Sequence, residues 1–245
     1  MDEIEALERA TLDAVPPQRL VHSGGWLLPL DDGTVGRSHS AVPLRHVAPG
    51  PDVLADLERH YRAAGLPLVL RLPDLPAFAE FAALLRERGY TPTKPTLVQT
   101  GPIAGLLAAR RAGVDPEVAA APGPEWEQVF LGEGFDPVDG ASRLGILRRG
   151  TRTLFAGLRI DGRTVAVGAA CLSHGWCGLH GMRTLPAWRG RGFAGAILAA
   201  LGQAARERGL EQCFLQVEAA NATARSLYAA RGLRTAWTYQ YWKKP

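Results

Sequence analysis

The chain has 245 residues, of which 47% are hydrophobic and 21% are charged, a composition that excludes a wholly disordered or membrane-embedded protein. This length suits one large domain or two ordinary ones, and we expect two. The formal net charge of +4 comes mostly from dispersed arginines, which favours a solvated basic surface over a nucleic-acid site.

Targeting and metal signals are weak throughout the sequence. No window approaches the roughly 20 apolar residues of a membrane span, and the acidic start is unlike a signal peptide, so we expect a cytoplasmic protein without a membrane partner. Cys171, Cys177 and Cys213 are odd in number and widely spaced, and the six histidines lack metal-ligand spacing. We therefore expect reduced thiols and no metal.

The first hundred residues alternate between helical and strand patterns. Ile4, Leu7 and Leu12 lie among charges and predict an amphipathic helix over residues 2–14. The next predicted elements are strands at 26–28 and 41–44 around a turn at 31–33, a helix at 53–64, a strand at 66–72, a helix at 78–88 and a strand at 96–98. Such alternation is typical of an α/β module.

An Ala-, Gly- and Pro-rich segment at 105–124 has the composition of a linker. We place an N-terminal domain at 1–108, a linker at 109–122 and a C-terminal domain at 123–245. The elements predicted for the second domain are helices at 126–130 and 141–147, a hairpin of strands at 153–160 and 164–171, a strand at 178–185, a helix at 193–208, a strand at 212–218, a helix at 222–231 and a strand at 236–242.

A glycine-rich loop separates a strand from a helix in the second domain. It reads Arg189-Gly190-Arg191-Gly192-Phe193-Ala194. Glycines let the main chain approach a ligand closely, and the free N–H groups and positive end of a helix bind anions. The two arginines add charge, so the loop predicts a pyrophosphate-bearing ligand, the alternative being an ordinary flexible turn.

A dinucleotide-binding fold is the competing interpretation of this loop. Gly190-x-Gly192-x-x-Gly195 followed by Glu218 superficially fits that fingerprint. Only 27 residues remain after Glu218, however, which is too few for the further βα units of such a fold. Residues 186–189 also separate the strand from the first glycine, where a dinucleotide fold turns tightly.

The loop resembles the acetyl-CoA loop of the GNAT superfamily of N-acetyltransferases, whose pattern Arg/Gln-x-x-Gly-x-Gly/Ala is matched by Arg189, Gly192 and Ala194. A second family signature is Asn-x-x-Ala-x-x-Leu-Tyr-x-x-x-Gly-Phe. It is matched by Asn221, Ala224, Leu227, Tyr228 and Gly232, with Leu233 replacing phenylalanine. The resemblance covers about residues 123–245.

The N-terminal half resembles the degenerate first domain of tandem GNAT proteins. Tyr61-x-x-x-Gly65-Leu66 echoes Tyr228-x-x-x-Gly232-Leu233, but the first half has no phosphate loop. The resemblance implies two GNAT-like α/β modules, each a mixed, mostly antiparallel sheet flanked by helices. We expect the first module to shape the acceptor cleft or to support the second, without binding a second coenzyme.

The resemblance also assigns site residues. Those implied to bind acetyl-CoA are Met182, Arg183, Thr184, Arg189, Gly190, Arg191, Gly192, Phe193, Ala194 and Asn221. The backbone of residues 182–184 would pair with the pantetheine arm, and Asn221 would contact its amides. Tyr228 matches the usual general acid. The alternatives are that Tyr228 is a packed aromatic and Asn221 a helix N-cap.

The general base is less well defined by the sequence. His180 is the first candidate, because simple strand alternation puts it on the same face as Met182 and Thr184. It also matches a histidine that arylalkylamine-type GNAT enzymes carry nine residues before the loop arginine. A structural role for His180, and Glu218 or a water chain as the base, are the alternatives.

The expected activity is transfer of an acetyl group from acetyl-CoA to a primary amine of a small molecule or peptide. A catalytically silent acyl-CoA-binding or regulatory protein is the alternative. The aromatic residues of the last strand, Trp237, Tyr239, Tyr241 and Trp242, either line an acceptor pocket or belong to the core. The sequence is compatible with a monomer or a homodimer.

Overall fold

The computed structural model describes residues 2–132 and 136–245. The helices of this part are α1 (Glu3–Ala14), α2 (Val53–Ala63), α3 (Ala79–Glu87), α4 (Ile103–Leu107), α5 (Pro124–Leu131), α6 (Pro137–Arg149), α7 (Phe193–Arg206) and α8 (Ala222–Ala229). The strands are β1 (Arg19–Ser23), β2 (Trp26–Leu30), β3 (Val42–Pro43), β4 (Leu70–Pro73), β5 (Thr91–Pro102), β6 (Glu117–Ala119), β7 (Thr153–Ile160), β8 (Arg163–Ser173), β9 (Trp176–Thr184), β10 (Gln212–Glu218) and β11 (Arg234–Lys243).

One large mixed sheet organises the molecule. Its eight strands run in the order β4-β11-β5-β10-β9-β8-β7-β6, and every neighbouring pair is antiparallel except β9 and β10. Helices cover both faces of this sheet, which confirms the predicted α/β fold with a mixed, mostly antiparallel sheet.

The two faces of the sheet carry separate apolar clusters because side chains alternate along each strand. On one side, which we call the α7 face, Ile103 of α4 and Ile197 of α7 pack on Leu158 and Leu215. On the other side, the α5 face, Trp126 of α5 packs on the strands, and α1 covers a neighbouring cluster there. The core therefore lies in two layers with the sheet between them.

A small sheet of β1, β2 and β3 precedes the large one. Its strands β2 and β3 confirm the two predicted around the turn, but β1 was missed because it is polar and largely exposed. Gly24 and Gly25 form the tight turn between β1 and β2, with φ of 54° and 80°, a backbone that glycine adopts without strain. Backbone hydrogen bonds between Ala41 and the start of β4 join the small sheet to the large one.

The segment expected to be a linker contains ordered structure. Residues 103–107 form α4, and β6 pairs with β7 at the edge of the large sheet. All of β6 is exposed, so it lacks the apolar alternation that marks a half-buried strand. In addition, β5 from the first half lies between β10 and β11 from the second. The domain boundary at 109–122 stays a prediction, and the large sheet is continuous across it.

Candidate functional site

The large sheet splits between its two parallel strands. Pairing of β9 with β10 runs from Trp176 and Gln212 to Leu179 and Leu215 and ends there, although both strands continue for several residues. Beyond this point their facing edges diverge. The split therefore leaves backbone groups of β9 available to a ligand.

A β-bulge lies on β9 beside this split. Ala169 of β8 pairs with His180 and Val167 pairs with Arg183, so Gly181 and Met182 together oppose a single residue of β8. Gly181 has φ of 64°, which favours glycine at this position. A bulge interrupts the ladder of hydrogen bonds, so it leaves main-chain polar groups at the split without a strand partner.

The bulge also corrects one expectation from the sequence. Its extra residue reverses the alternation, so the side chain of His180 shares the α5 face with Ala169, whereas Met182 packs against the cluster of the α7 face. Thr184 pairs with Ala166, which belongs to that same α7-face cluster. The prediction that His180 shares a face with Met182 and Thr184 was therefore wrong.

His180 itself is held as a neutral imidazole. It is 8% exposed, and its Nε2 has no hydrogen-bond partner among the described residues. Burial, with a smaller contribution from the nearby charge of Arg37, lowers its pKa to about 3. A group with so low a pKa has little tendency to accept a proton at neutral pH.

The glycine-rich loop lies where the sequence predicts it, after β9 and before α7. Gly190 and Gly192 have φ of 74° and 78°, and Gly192 caps the start of α7. The first N–H groups of α7 have no intrahelical acceptors, as at any helix start. Arg189 donates to the carbonyl of Thr184 at 3.2 Å, and the Arg191 guanidinium lies 4.8 Å from the ring centre of Trp188.

Two further arginines, not identified from the sequence, approach the same helix end. Arg111 donates a hydrogen bond to the main-chain carbonyl of Arg191. A Cβ at Gly195 would lie 3.2 Å from Nη2 of Arg231, whose Nε is buried without a partner among the described residues. Arg111 and Arg231 thus join the two arginines of the loop near the N-terminus of α7. Arg111 and Arg231 could not be identified from the sequence, because no local spacing connects residues 111, 191 and 231.

Tyr228 lies on α8, and Asn221 lies at the start of the same helix. Tyr228 is 8% exposed in the cluster of the α7 face, and burial raises its pKa, so it keeps its proton at neutral pH. Asn221 is exposed, and its side chain accepts the N–H of Ala224 at 3.1 Å, the contact of a helix N-cap. This cap uses the amide oxygen and leaves the side-chain NH2 group free to donate.

A cavity of about 380 Å3 opens on the α5 face next to the end of β10. Gln216 and Glu218 of β10 line it together with Tyr239 and Tyr241 of β11. The hydroxyl of Tyr239 donates to Gln216 at 2.9 Å and lies 3.3 Å from the hydroxyl of Tyr241. The remaining aromatics of the last strand, Trp237 and Trp242, are buried in apolar clusters. Tyr239 and Tyr241 thus line a cavity, whereas Trp237 and Trp242 lie in the core.

Other reactive groups are few in the described part of the chain. Within residues 2–132 and 136–245, no group of three His, Cys, Asp or Glu side chains is arranged to hold a metal ion. The cysteines are buried free thiols, and burial raises the pKa of Cys171 to about 11 and that of Cys213 to about 12. No helix in the same residues is long and apolar enough to span a membrane.

Residues 1–242 match a family model described as "Probable histone acetyltransferase Rv0428c C-terminal". The chain belongs to this family of GNAT acetyltransferases. A curated relative of similar length is the uncharacterized N-acetyltransferase YobR of Bacillus subtilis, with 24% identity over 246 residues and coverage of 98% of each chain. The recognition of a GNAT protein from the two motifs is thereby confirmed.

Solved structures show the same fold over the whole chain of this GNAT protein. A GCN5-related N-acetyltransferase from Kribbella flavida aligns with a TM-score of 0.73 and 22% identity over 100% of this chain and 96% of its own. A tandem GNAT protein from the clavulanic acid biosynthesis pathway aligns with a TM-score of 0.62 and 15% identity over 98% and 94%. At these identities the likeness is one of fold.

Proposed function

We propose that this protein transfers an acetyl group from acetyl-CoA to a primary amine at the split between β9 and β10. One spatial relationship carries the proposal. The arginine-rich start of α7 and the phenol of Tyr228 belong to the α7 face, and the polar cavity opens on the α5 face. The end of β10 that lines this cavity also forms one edge of the split. Donor and acceptor would therefore approach the same gap from opposite sides of the sheet.

The residues at the start of α7 fit the phosphates of coenzyme A. Arg111, Arg189, Arg191 and Arg231 would bind them together with the N–H groups of the first turn of the helix. The buried Nε of Arg231, which has no partner among the described residues, supports this assignment, because a buried donor is costly unless something accepts its hydrogen bond. Bound there, acetyl-CoA supplies the activated acetyl group.

The backbone of β9 would hold the rest of the cofactor. Residues 182–184 lie on the diverging part of the strand, where their edge can pair with an extended pantetheine arm as an added strand would. The free NH2 group of Asn221 would donate to an amide carbonyl. A main-chain N–H of the Gly181–Met182 bulge would donate to the thioester oxygen, where negative charge develops.

Tyr228 would act as the general acid. Its phenol remains protonated because burial raises its pKa above the usual value. A departing thiolate has a conjugate acid of pKa near 8.5, so a phenol can hydrogen-bond to it and supply a proton as the carbon–sulfur bond breaks. The raised pKa therefore keeps Tyr228 in the protonated form that is needed to protonate the leaving thiolate.

Glu218 is better placed than His180 to help remove the proton of the amine. Glu218 is exposed at the end of β10 and lines the cavity, so an ammonium in the cavity can reach its carboxylate directly or through water. His180 is buried and holds a proton poorly. We therefore propose Glu218 as the acceptor of the proton and a positioning or structural role for His180.

The experiment measures coenzyme A release over a panel of amines, with acetyl-CoA binding followed in parallel by calorimetry. Tyr228→Phe should reduce kcat about 100-fold or more at unchanged cofactor affinity, the usual range for loss of a general acid. Tyr90→Phe is the matched control, because Tyr90 lies in the apolar cluster of the N-terminal half and should leave kcat unchanged. Binding without turnover on any amine would favour the silent alternative, and absence of binding would refute the proposal.

A further inference from the structure

The cavity next to Glu218 is strongly cationic. Arg37, Lys94, Arg143 and Lys243 line it, against the single carboxylate of Glu218. His39 also lines it, and burial lowers the pKa of His39, so this side chain adds no charge at neutral pH. The lining comes from both halves of the chain, so the excess of positive charge is created by the fold.

Among the residues that the structure describes, most of these cations have no anionic partner. Arg143 forms an ion pair with Asp139 at 2.9 Å, so its charge is largely compensated. Within residues 2–132 and 136–245, neither Arg37, Lys94 nor Lys243 forms an ion pair. Asp139 also acts on Lys94 at longer range, but its hydrogen bonds go to Thr34 and Arg143. Three charges therefore remain for a ligand.

Lys94 occupies a backbone position that disfavours a side chain. It lies at a β-bulge of β5, where pairing with β11 shifts between Tyr239 and Tyr241, and its φ is 48°. Glycine is the usual residue for this left-handed conformation in a bulge, because a Cβ there is strained. Lys94 thus lines the cavity from a strained backbone position.

The backbone positions of Glu218 and Lys94 are close enough for one small zwitterion to contact both side chains. Glu218 lies directly opposite Thr96 on β5, and Lys94 is two residues further along that strand, or roughly 7 Å at about 3.3 Å per residue. A ligand that spans this distance can direct its amine to Glu218 and its negative group to Lys94. A concave, low-dielectric site strengthens both interactions and repels a polycation.

We infer that the acceptor is a small amine that also carries a carboxylate or phosphate group, bound by Arg37, Lys94 and Lys243. This inference rests on the proposed function, because it identifies the substrate class of the same site. The family description names a histone acetyltransferase, yet a lysine-rich tail would bring further positive charge into a lining that already has an excess of it. Lysine-rich peptides should accordingly be poor acceptors.

The test compares pairs of amines of which one member carries an anionic group and the other does not. Amino acids are compared with their amides, phosphoethanolamine with ethanolamine, and both sets with a lysine-rich peptide, by coenzyme A release at fixed acetyl-CoA. The anionic member of a pair should have a kcat/KM at least tenfold higher, and added salt should reduce the difference. The amino-acid and phosphoethanolamine pairs distinguish a carboxylate from a phosphate.

Matched lysine variants show whether the cavity causes this preference. Lys94→Gln should reduce kcat/KM about tenfold more for the anionic amine than for its neutral partner. Lys244→Gln is the control, because Lys244 lies outside the cavity and pairs with Glu58. An effect of Lys94→Gln that is equal for both amines would contradict the inference, since general damage would act on both.

Failure of this inference can be separated from failure of the proposed function. Turnover of neutral amines or lysine-rich peptides as efficient as that of anionic amines would refute the acidic acceptor and leave the acetyltransfer intact. If acetyl-CoA does not bind, the proposed function is refuted, and calorimetry of each acid and amide with the protein alone decides the inference. Tighter binding of the acid then supports an anionic ligand, and equal binding refutes it.

Discussion

Arg71 of β4 and Glu8 of α1 form a buried ion pair, with 2.7 Å between Nη2 and Oε2 and side chains that are 0% and 2% exposed. The Arg71 guanidinium also lies 5.4 Å from the ring centre of Tyr239, one of the tyrosines that line the cavity. The N-terminal helix is thereby fixed to a strand at the far edge of the large sheet. Through Tyr239, the pair also packs beneath the floor of the proposed acceptor site.

Removing the carboxylate of this pair should destabilise the protein strongly. In Glu8→Gln, the charge of Arg71 remains buried without a counter-ion, which typically costs about 3–5 kcal/mol. Urea unfolding at neutral pH measures this loss. Glu5→Gln is the control, because the Glu5–Arg9 pair is partly exposed, and the loss there should stay below about 1 kcal/mol. Equal losses in the two variants would mean that Arg71 finds another partner.

The buried histidine should make stability depend on pH. His180 titrates near 6.5 when unfolded but at about 3 when folded, so between these values the unfolded chain binds more protons. Its contribution to stability is therefore complete above pH 6.5 and is lost as the pH falls toward 3. Acidification from about pH 7 to 5 should remove about 2 kcal/mol of unfolding free energy through this residue.

Denaturant unfolding at the two pH values tests this contribution by difference. His180→Gln should reduce the pH dependence by about 2 kcal/mol relative to the native protein. His22→Gln, at an exposed position on β1, is the control for replacing a histidine by glutamine. If the native protein and His180→Gln lose equal stability on acidification, then His180 is not held neutral in the folded state.

The fold was largely predictable because most elements depend on local patterns. The strands at 153–160 and 164–171, the glycine loop and the helix after it carry apolar periodicity or turn residues that identify them. In contrast, β1 and β6 are mostly exposed and are held by pairing to neighbouring strands. Their stability comes from contacts that no local pattern encodes.

The candidate site was predictable only where its residues form a motif. The loop at 189–194 and Tyr228 were found because motif spacing identifies them, whereas Arg111 and Arg231 approach α7 from distant parts of the chain. The bulge at Gly181 was also missed. The alternation of side chains along β9 depends on its register with β8. One extra residue at the bulge moves every following side chain of β9 to the opposite face.

Arg231 and Arg111 should contribute to cofactor affinity. Hydrogen bonds to charged groups are worth about 1.5–3 kcal/mol, so Arg231→Gln should raise the Kd of coenzyme A about tenfold or more. Arg111→Gln should have a similar effect. Calorimetry at two salt concentrations measures both, and the native protein should lose more affinity with salt than either variant.

The control for these variants is at the opposite end of the same helix. Arg206 lies in the last turn of α7 and donates to Gln203, so Arg206→Gln should leave the Kd unchanged. If all three variants weaken binding equally, the effect comes from overall charge. If only Arg206→Gln weakens it, the phosphates do not bind at the start of α7.

Gly181→Ala should impair both stability and turnover. An alanine adopts its φ of 64° at a cost of about 1–2 kcal/mol. This cost is conformational and not steric, because the nearest atom to a new Cβ would be at 3.4 Å, an ordinary contact. The bulge would relieve this strain by changing its backbone angles. That change would move the N–H proposed to face the thioester oxygen, so kcat should fall more than KM rises.

Gly145→Ala is the control, because it replaces a glycine by alanine at a position where no left-handed φ is required. Gly145 lies within α6 with nothing within 4 Å of a new Cβ, so alanine there should stabilise the protein by about 0.5–1 kcal/mol. Denaturant unfolding and steady-state kinetics on both variants provide the comparison. A Gly181→Ala variant with reduced stability but native kcat would show that the bulge shapes the strand without taking part in the reaction. The strain would then have changed the backbone at positions other than the N–H that faces the thioester.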